Sequence, residues 1–339
     1  PCLNRRPPDR VLPWPNHSFA YASVYNGSMG ALDNLISGPR AQDAFLLRLV
    51  MEPPWAVWVE DEAPLTIMAQ LEGHAWVIAG DEQVRLEPGD LSIAKGPNHY
   101  LVADDPATPP SIVVDPDQQC RSLDGRSLVD EMLLGVRTWG NDRDGSSQML
   151  VGTYNLDSEV SRRLLRALPP QIHLAASEWD SPLVALLAAE VSSERPGQGV
   201  ILDRLLDLLL MTAVRAWFDQ PQHDAPGWYQ AENDEAIGAT IRRIHEEPAR
   251  EWTVAELAAE AGMSRAAYAR RFNDVVGEPP MTYLTNWRLT LAADLLREPE
   301  ATVGTVAEQV GYATPFGLSA AFKRVRGVSP TAYRQAVGA

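Results

Sequence analysis

WTVAELAAEAGMS (Trp252–Ser264) and ATVGTVAEQVGYA (Ala301–Ala313) decide the reading of the rear of the chain. At an offset of 49 residues Thr253 falls on Thr302, Val254 on Val303, Leu257 on Val306, Ala258 on Ala307 and Gly262 on Gly311. Each stretch predicts a capped helix, a glycine turn and then a second helix. Thr253 and Glu256 have the spacing of a capping box. Ala258 and Ala307 are small enough for the second helix to cross closely, and Gly262 and Gly311 can take the positive φ that the turn needs. The second helices should bury Tyr268, Phe272 and Val275 in one unit and Leu318, Phe322 and Val325 in the other. Between the units, PPMTYLTNWRLTLAADLLRE (Pro279–Glu298) carries Leu284, Trp287, Leu291 and Leu295 on one stripe. This is a connecting helix that sets the distance between them.

One helical hairpin is a common motif. Two at a fixed offset on a linking helix specify a pair of helix-turn-helix units, whose second helices each present one face to a major groove of double-stranded DNA. The overall charge points the other way. The 339 residues carry 29 Lys+Arg against 45 Asp+Glu, a net charge of −16, whereas DNA-contacting surfaces are normally basic. The distribution resolves the conflict. Residues 1–228 hold 17 basic and 31 acidic side chains, and residues 229–339 hold 12 and 14. In the rear part Arg265, Arg270 and Arg271 gather on Ser264–Val276 against Asp274 alone, and Lys323, Arg324 and Arg326 on Thr314–Arg326 with no acid.

The front reads as β and then α. AVWV (Ala56–Val59), LTIMAQL (Leu65–Leu71), HAWVIAG (His74–Gly80), QVRL (Gln83–Leu86), LSIA (Leu91–Ala94) and SIVV (Ser111–Val114) are short strands separated by turns such as EPGD and KGPN. That spacing predicts a small sandwich or barrel rather than a parallel α/β fold. SPLVALLAAEVSSE (Ser181–Glu194) and GVILDRLLDLLLMTAVRAWF (Gly199–Phe218) follow as two helices. The second is apolar nearly all round, so it must be covered on more than one side, by the barrel or by a second copy in a homodimer. QPQHDAPG (Gln220–Gly227) marks a boundary. No run of about 18 uncharged apolar residues exists, so no membrane partner is expected, and the first ten residues lack the apolar core of a signal peptide. Cys2 and Cys120 make neither a disulfide framework nor a thiolate metal site, and a cytoplasmic setting is expected.

TVAELAAEAGMSRAAYARRF, GEPPMTYLTNWRLTLAADLL, VAEQVGYATPFGLSAAFKR and the closing GVSPTAYR together resemble the DNA-binding domain of AraC/XylS-type transcription regulators. LEGHAWV and LEPGDLSIAKGPNHYLV resemble the cupin-type sensor fused to one branch of that family. The implied fold class is α+β in two domains: an N-terminal cupin-like β-barrel plus helices, and a C-terminal all-α domain with two helix-turn-helix units. The expected boundaries are 1–222 for ligand sensing and dimerisation, 223–231 for the linker and 232–339 for DNA binding. The function implied is a sequence-specific regulator controlled by a small-molecule effector. A ligand-independent regulator that uses the barrel only to dimerise, and a cupin enzyme, are the alternatives.

The resemblance places Arg265, Ala266, Ala269 and Arg270 on the base-reading face of the first recognition helix, with Arg271 beside them. Arg265 and Arg270 either grip guanine edges or position phosphates. In the second unit Thr314, Pro315, Phe316, Gly317 and Ser319 occupy that face, with Lys323 and Arg324 expected on phosphates. The chain departs from the family here, because Ala320 stands where an Arg often occurs. Phe316 either meets a thymine methyl or packs. In the front domain Trp58, Met68, Trp76 and His99 are the expected ligand-binding residues. Cupin enzymes hold a metal on closely spaced His, Glu and a later His; His74 lacks such partners, so neither metal, cofactor nor catalytic residue is expected.

Overall fold

The computed structural model describes residues 45–154, 158–179 and 181–337. Cys2 lies outside the described residues. The front domain consists of two sheets. The larger runs β10 (Leu133–Gly135), β11 (Thr138–Gly140), β1 (Phe45–Met51), β12 (Ser147–Tyr154), β3 (Leu65–Glu72), β6 (Leu91–Lys95), β13 (Gln171–Leu174). The smaller runs β5 (Glu82–Leu86), β4 (Ala75–Ala79), β7 (Tyr100–Ala103), β2 (Ala56–Val59), β8 (Ile112–Val114), β9 (Cys120–Ser122). Pairing is antiparallel except between β1 and β11 and between β2 and β8.

The expected cupin-like β-barrel is therefore an open two-layer arrangement rather than a closed cylinder. Its edges β5, β9, β10 and β13 are only three to five residues long, whereas closure needs edge strands to pair along a staggered register. Alternation sorts the side chains between two cores. Leu49, Met51, Val57, Val59, Met68, Val77 and Val102 fill the space between the sheets. Leu65, Ile67, Ala69, Ile93 and Leu150 face the other way, against helices.

Those helices are α1 (Glu159–Ala167), α2 (Pro182–Val191) and α3 (Gln198–Phe218). Gly152 of β12 lets α3 lie close, since a Cβ there would stand 3.1 Å from Leu206 Cδ2. Nearby, the Tyr154 hydroxyl donates to the Leu206 carbonyl at 2.6 Å. The sheet thus covers one side of α3, while Leu186 of α2 and Val200, Ile201 and Leu208 of α3 stay exposed. No helix among the described residues is long and apolar enough to cross a membrane.

The rear domain holds α4 (Gly227–Gln230), α5 (Glu235–Glu246), α6 (Val254–Glu260), α7 (Arg265–Val276), α8 (Pro280–Leu295), α9 (Val303–Gln309), α10 (Pro315–Arg326) and α11 (Pro330–Val337). The segment expected as linker contains α4, which buries Trp228 and Tyr229. A Cβ on Gly227 would stand 2.5 Å from the Val276 carbonyl oxygen, so only glycine lets α4 press on the end of α7. One apolar core runs from the larger sheet through α3 and α4 to the first helix-turn-helix unit, and a separate one fills the second unit.

Both units carry capping boxes, Thr253 with Glu256 and Thr302 with Thr305. Gly262 and Gly311 take φ of 63° and 79°. The two are not identical. The first helices repeat at 49 residues, but the caps Ser264 and Thr314 and the core residues Phe272 and Phe322 repeat at 50, so the second turn is one residue longer. Val325, expected to be buried, is 47% exposed. Its counterpart Val275 packs against the core beside α4, and among the described residues the second unit has no equivalent of α4.

Candidate nucleic-acid interface and sensor cavity

The roll of α7 about its axis is set by its buried face. Tyr268 and Phe272 are fully enclosed, and the Tyr268 hydroxyl donates to Thr240 Oγ1 at 3.0 Å. Ser264 caps the helix by accepting the Ala267 N–H. Arg265, Ala266 and Arg270 are consequently exposed and Ala269 half-buried. Arg265 and Arg270 form no ion pair with the described residues. Arg271 differs from them. Its Nε donates to Asp234 Oδ2 at 2.8 Å, and Asp234 also caps α5 through the Ala236 and Ile237 N–H groups. Arg271 is nonetheless exposed, and an ion pair so open to water is weak.

In the second unit Leu318 and Phe322 are buried and Thr314 caps α10 by accepting the Gly317 N–H at 3.1 Å. Thr314, Pro315, Ala320, Lys323 and Arg324 are exposed, and Gly317 and Ser319 half-buried. Phe316 is 81% exposed, so of the two roles the sequence left open, packing does not apply. With the 50-residue offset, Pro315 answers to Arg265, Phe316 to Ala266 and Ala320 to Arg270. Where the first unit offers two arginines, the second offers one aromatic ring.

Arg326, the last residue of α10, turns back toward the front domain. It forms an ion pair with Glu159, the first residue of α1. Glu159 is 3% exposed and also accepts from Arg162 Nη1 at 2.6 Å and the Tyr333 hydroxyl at 3.1 Å, with Arg166 at 3.4 Å. Its backbone N–H donates to Asp294 Oδ1 at the end of α8. Burial alone would raise the Glu159 carboxyl, but the hydrogen bond and charge of Arg326, then Arg162 and Tyr333, outweigh it and hold the group below its usual range. Glu159 therefore joins α1 to α10 and α11 through its carboxylate and to α8 through its backbone N–H.

A second contact lies alongside. Arg163 of α1 sits over the rings of Tyr283 and Trp287, 4.8 and 5.9 Å from their centroids. Trp287 stacks on His245 at 4.0 Å, and His245 Nε2 meets the Tyr283 hydroxyl at 2.9 Å. Burial, reinforced by the Arg163 charge, lowers the His245 pKa from 6.5 to about 3. An unfolded chain takes up this proton near pH 6.5 while the folded one refuses it, so the stabilisation is whole above that pH and is lost on acidification. Between pH 6.5 and 5 this group should cost about 2 kcal/mol. Urea titrations of the parent and His245→Gln should show that slope flattened in the variant over this interval.

The space between the sheets contains a cavity with an empty volume of about 670 Å³ including its mouth. Apolar side chains from β1, β2, β3 and β12, Met68 among them, form most of its wall, and Asp61, Thr66, Tyr100 and Gln118 supply polar groups. Of the four residues expected to bind ligand, only Met68 lines it. Val57 and Val59 point inward, so Trp58 between them points out; its Nε1 donates to Glu60 and its ring meets exposed His99 edge-on at 6.1 Å. Trp76 likewise flanks inward-facing Ala75 and Val77. Reading β2 by the buried partners of its alternation picks out the face that lines the cavity. Asp61 and Gln118 sit in loops, and no periodicity marks them. Cys120 also lines the cavity, but burial, with the Asp115 charge, pushes its thiol up to about 11, so it is protonated at neutral pH.

A cupin profile matches residues 31–219 and a helix-turn-helix domain profile matches residues 257–336. An AraC-like transcription regulator of Streptomyces lividans is 32% identical over 313 residues, which is 91% of this chain and 98% of that protein. A second, from Streptomyces antibioticus, is 28% identical over 91% of this chain and 99% of its own. Among solved structures, the DNA-binding domain of AdpA in complex with a target DNA is 35% identical, covering 29% of this chain and 88% of that one at a TM-score of 0.28. With both profiles in chain order and a relative matched along almost its whole length, the chain belongs to the AraC-like family of DNA-binding transcription regulators, with a cupin-type domain in front.

Proposed function

We propose that this regulator binds its operator under the control of a small molecule held between the two sheets of the front domain. The observation that carries this reading is the Glu159 junction. Strand β12 lines the cavity through Met149, Val151 and Thr153, and shortly beyond its end Glu159 grips the last residue of the second recognition helix. A ligand that shifts β12 therefore acts close to the anchor of α10, and a small shift is transmitted because packed interfaces are bistable rather than soft. Thermal-shift screening of small molecules, followed by DNA titration with each stabilising compound, tests the reading. A compound that raises the melting temperature and changes DNA affinity supports it. Stabilising compounds that all leave DNA affinity unchanged would favour a ligand-independent regulator.

On the DNA, Arg265 and Arg270 are assigned to base edges and Lys323 and Arg324 to phosphates. Phe316 is assigned to thymine 5-methyl groups, because it is the exposed group at the base-facing start of α10. Replacing thymine by deoxyuridine in the second half-site should weaken binding about three- to fivefold per methyl contacted, the worth of one buried methyl group, and Phe316→Ala should abolish that difference. Fluorescence anisotropy on matched duplexes measures both. The exposed Leu186, Val200, Ile201 and Leu208 make an apolar patch suited to a homodimer seam, which sedimentation of Leu208→Glu against the parent would check.

A further inference from the structure

Among the described residues, the cavity wall contains one charged side chain, Asp61, and no Lys, Arg or His. Asp61 is 8% exposed. Its Oδ1 accepts the Ala63 N–H at 3.1 Å and its Oδ2 accepts Gln118 Nε2 at 3.2 Å, and no cation pairs with it among the described residues. A carboxylate so enclosed without a counter-charge loses hydration that two neutral donors only partly replace. Glu60 and Glu62 flank it in sequence but form no part of the wall. Trp139 lines the cavity as well, 8% exposed, with its indole N–H unpartnered among the described residues.

From these features we infer that the effector is a small lipophilic cation: an apolar body carrying a protonated amine that pairs with Asp61. The apolar wall supplies most of the contact area, as in ligand pockets generally. The ammonium supplies the missing counter-charge, and a charge-assisted hydrogen bond to a shielded carboxylate is stronger than a neutral one. An acceptor atom on the ligand would satisfy the Trp139 N–H. A carboxylate, phosphate or sulfonate effector is disfavoured by the same geometry, since it would meet Asp61 with no cation to offset the repulsion. This inference rests on the cavity being the effector site.

Three probes of one shape test it on the full chain by titration calorimetry: 2-phenylethylamine, 2-phenylethanol and phenylacetate. The amine should bind about tenfold more tightly than the alcohol, and phenylacetate should not bind. Asp61→Asn keeps the size of the side chain and its acceptor for the Ala63 N–H; it should erase the preference for the amine, leaving amine and alcohol equal. Should that variant fail to fold, the ranking on the parent protein still decides. Phenylacetate binding as well as the amine, an undiminished preference in Asp61→Asn, or no binding of any probe at millimolar concentration overturns the proposal. DNA titrations with the bound probe separate this claim from the broader one. An Asp61-dependent amine that leaves DNA affinity unchanged counts against effector control and not against the ligand class. An anion that binds and changes DNA affinity does the reverse.

Discussion

Replacing Arg265 and Arg270 together by alanine should lower affinity for the operator about a hundredfold or more, bringing it toward the level for random DNA. Each bidentate arginine–guanine contact contributes about 1–3 kcal/mol of discrimination. Both side chains are exposed on α7, and neither pairs with a described residue, so their loss should leave the fold intact. Arg271→Ala provides the contrast. Its guanidinium is held by Asp234 at 2.8 Å, so it should reduce DNA affinity by less than either single variant and slightly loosen the junction of α5 with α7 instead. The measurement is anisotropy on an operator selected from random duplexes, at two salt concentrations, because phosphate contacts raise the salt slope and base contacts do not. A double variant that retains its operator preference would show that the first unit does not read sequence.

Glu159→Ala should cost about 3 kcal/mol of stability, the lower end for breaking a buried ion pair, because Arg326 keeps some access to water. It removes at once the acceptor for Arg326, Arg162 and the Tyr333 hydroxyl. The pH dependence identifies the charge as the cause. The Glu159 carboxyl is held below its usual range, so its stabilisation is complete above the unfolded carboxyl value near 4.3 and is lost as pH falls through the lower folded value. Urea midpoints of the parent and Glu159→Gln should therefore differ at neutral pH and converge on acidification. In DNA titrations Glu159→Ala should also reduce whatever change an effector produces, since the link from β12 to α10 is cut. A constant gap between parent and variant across pH would assign the effect to packing instead.

Local pattern made the rear domain legible. The matching Thr, Ala and Gly positions encode caps, a close helix crossing and a positive φ, and each depends only on near neighbours in sequence. The strands of the front domain were found at Ala56–Val59 and Leu65–Leu71 for the same reason, because alternation is a local signal. Expectation and structure part where a partner distant in sequence decides. Val325 is apolar and at helical spacing, yet exposed, because no described element covers it as α4 covers Val275. Trp58 and Trp76 are aromatic and on the right strands, but register turns them out of the cavity.

The sequence by itself determined that two helix-turn-helix units stand behind a cupin-like, acidic front, because caps, glycine turns and amphipathic period are written within about a dozen residues of one another. Only the tertiary structure decided that the barrel stays open, that Asp61 and Trp139 share a cavity, and that Glu159 meets Arg326 and Tyr333. Those contacts join residues as much as 174 positions apart, and their geometry depends on how sheets and helices pack rather than on any period along the chain.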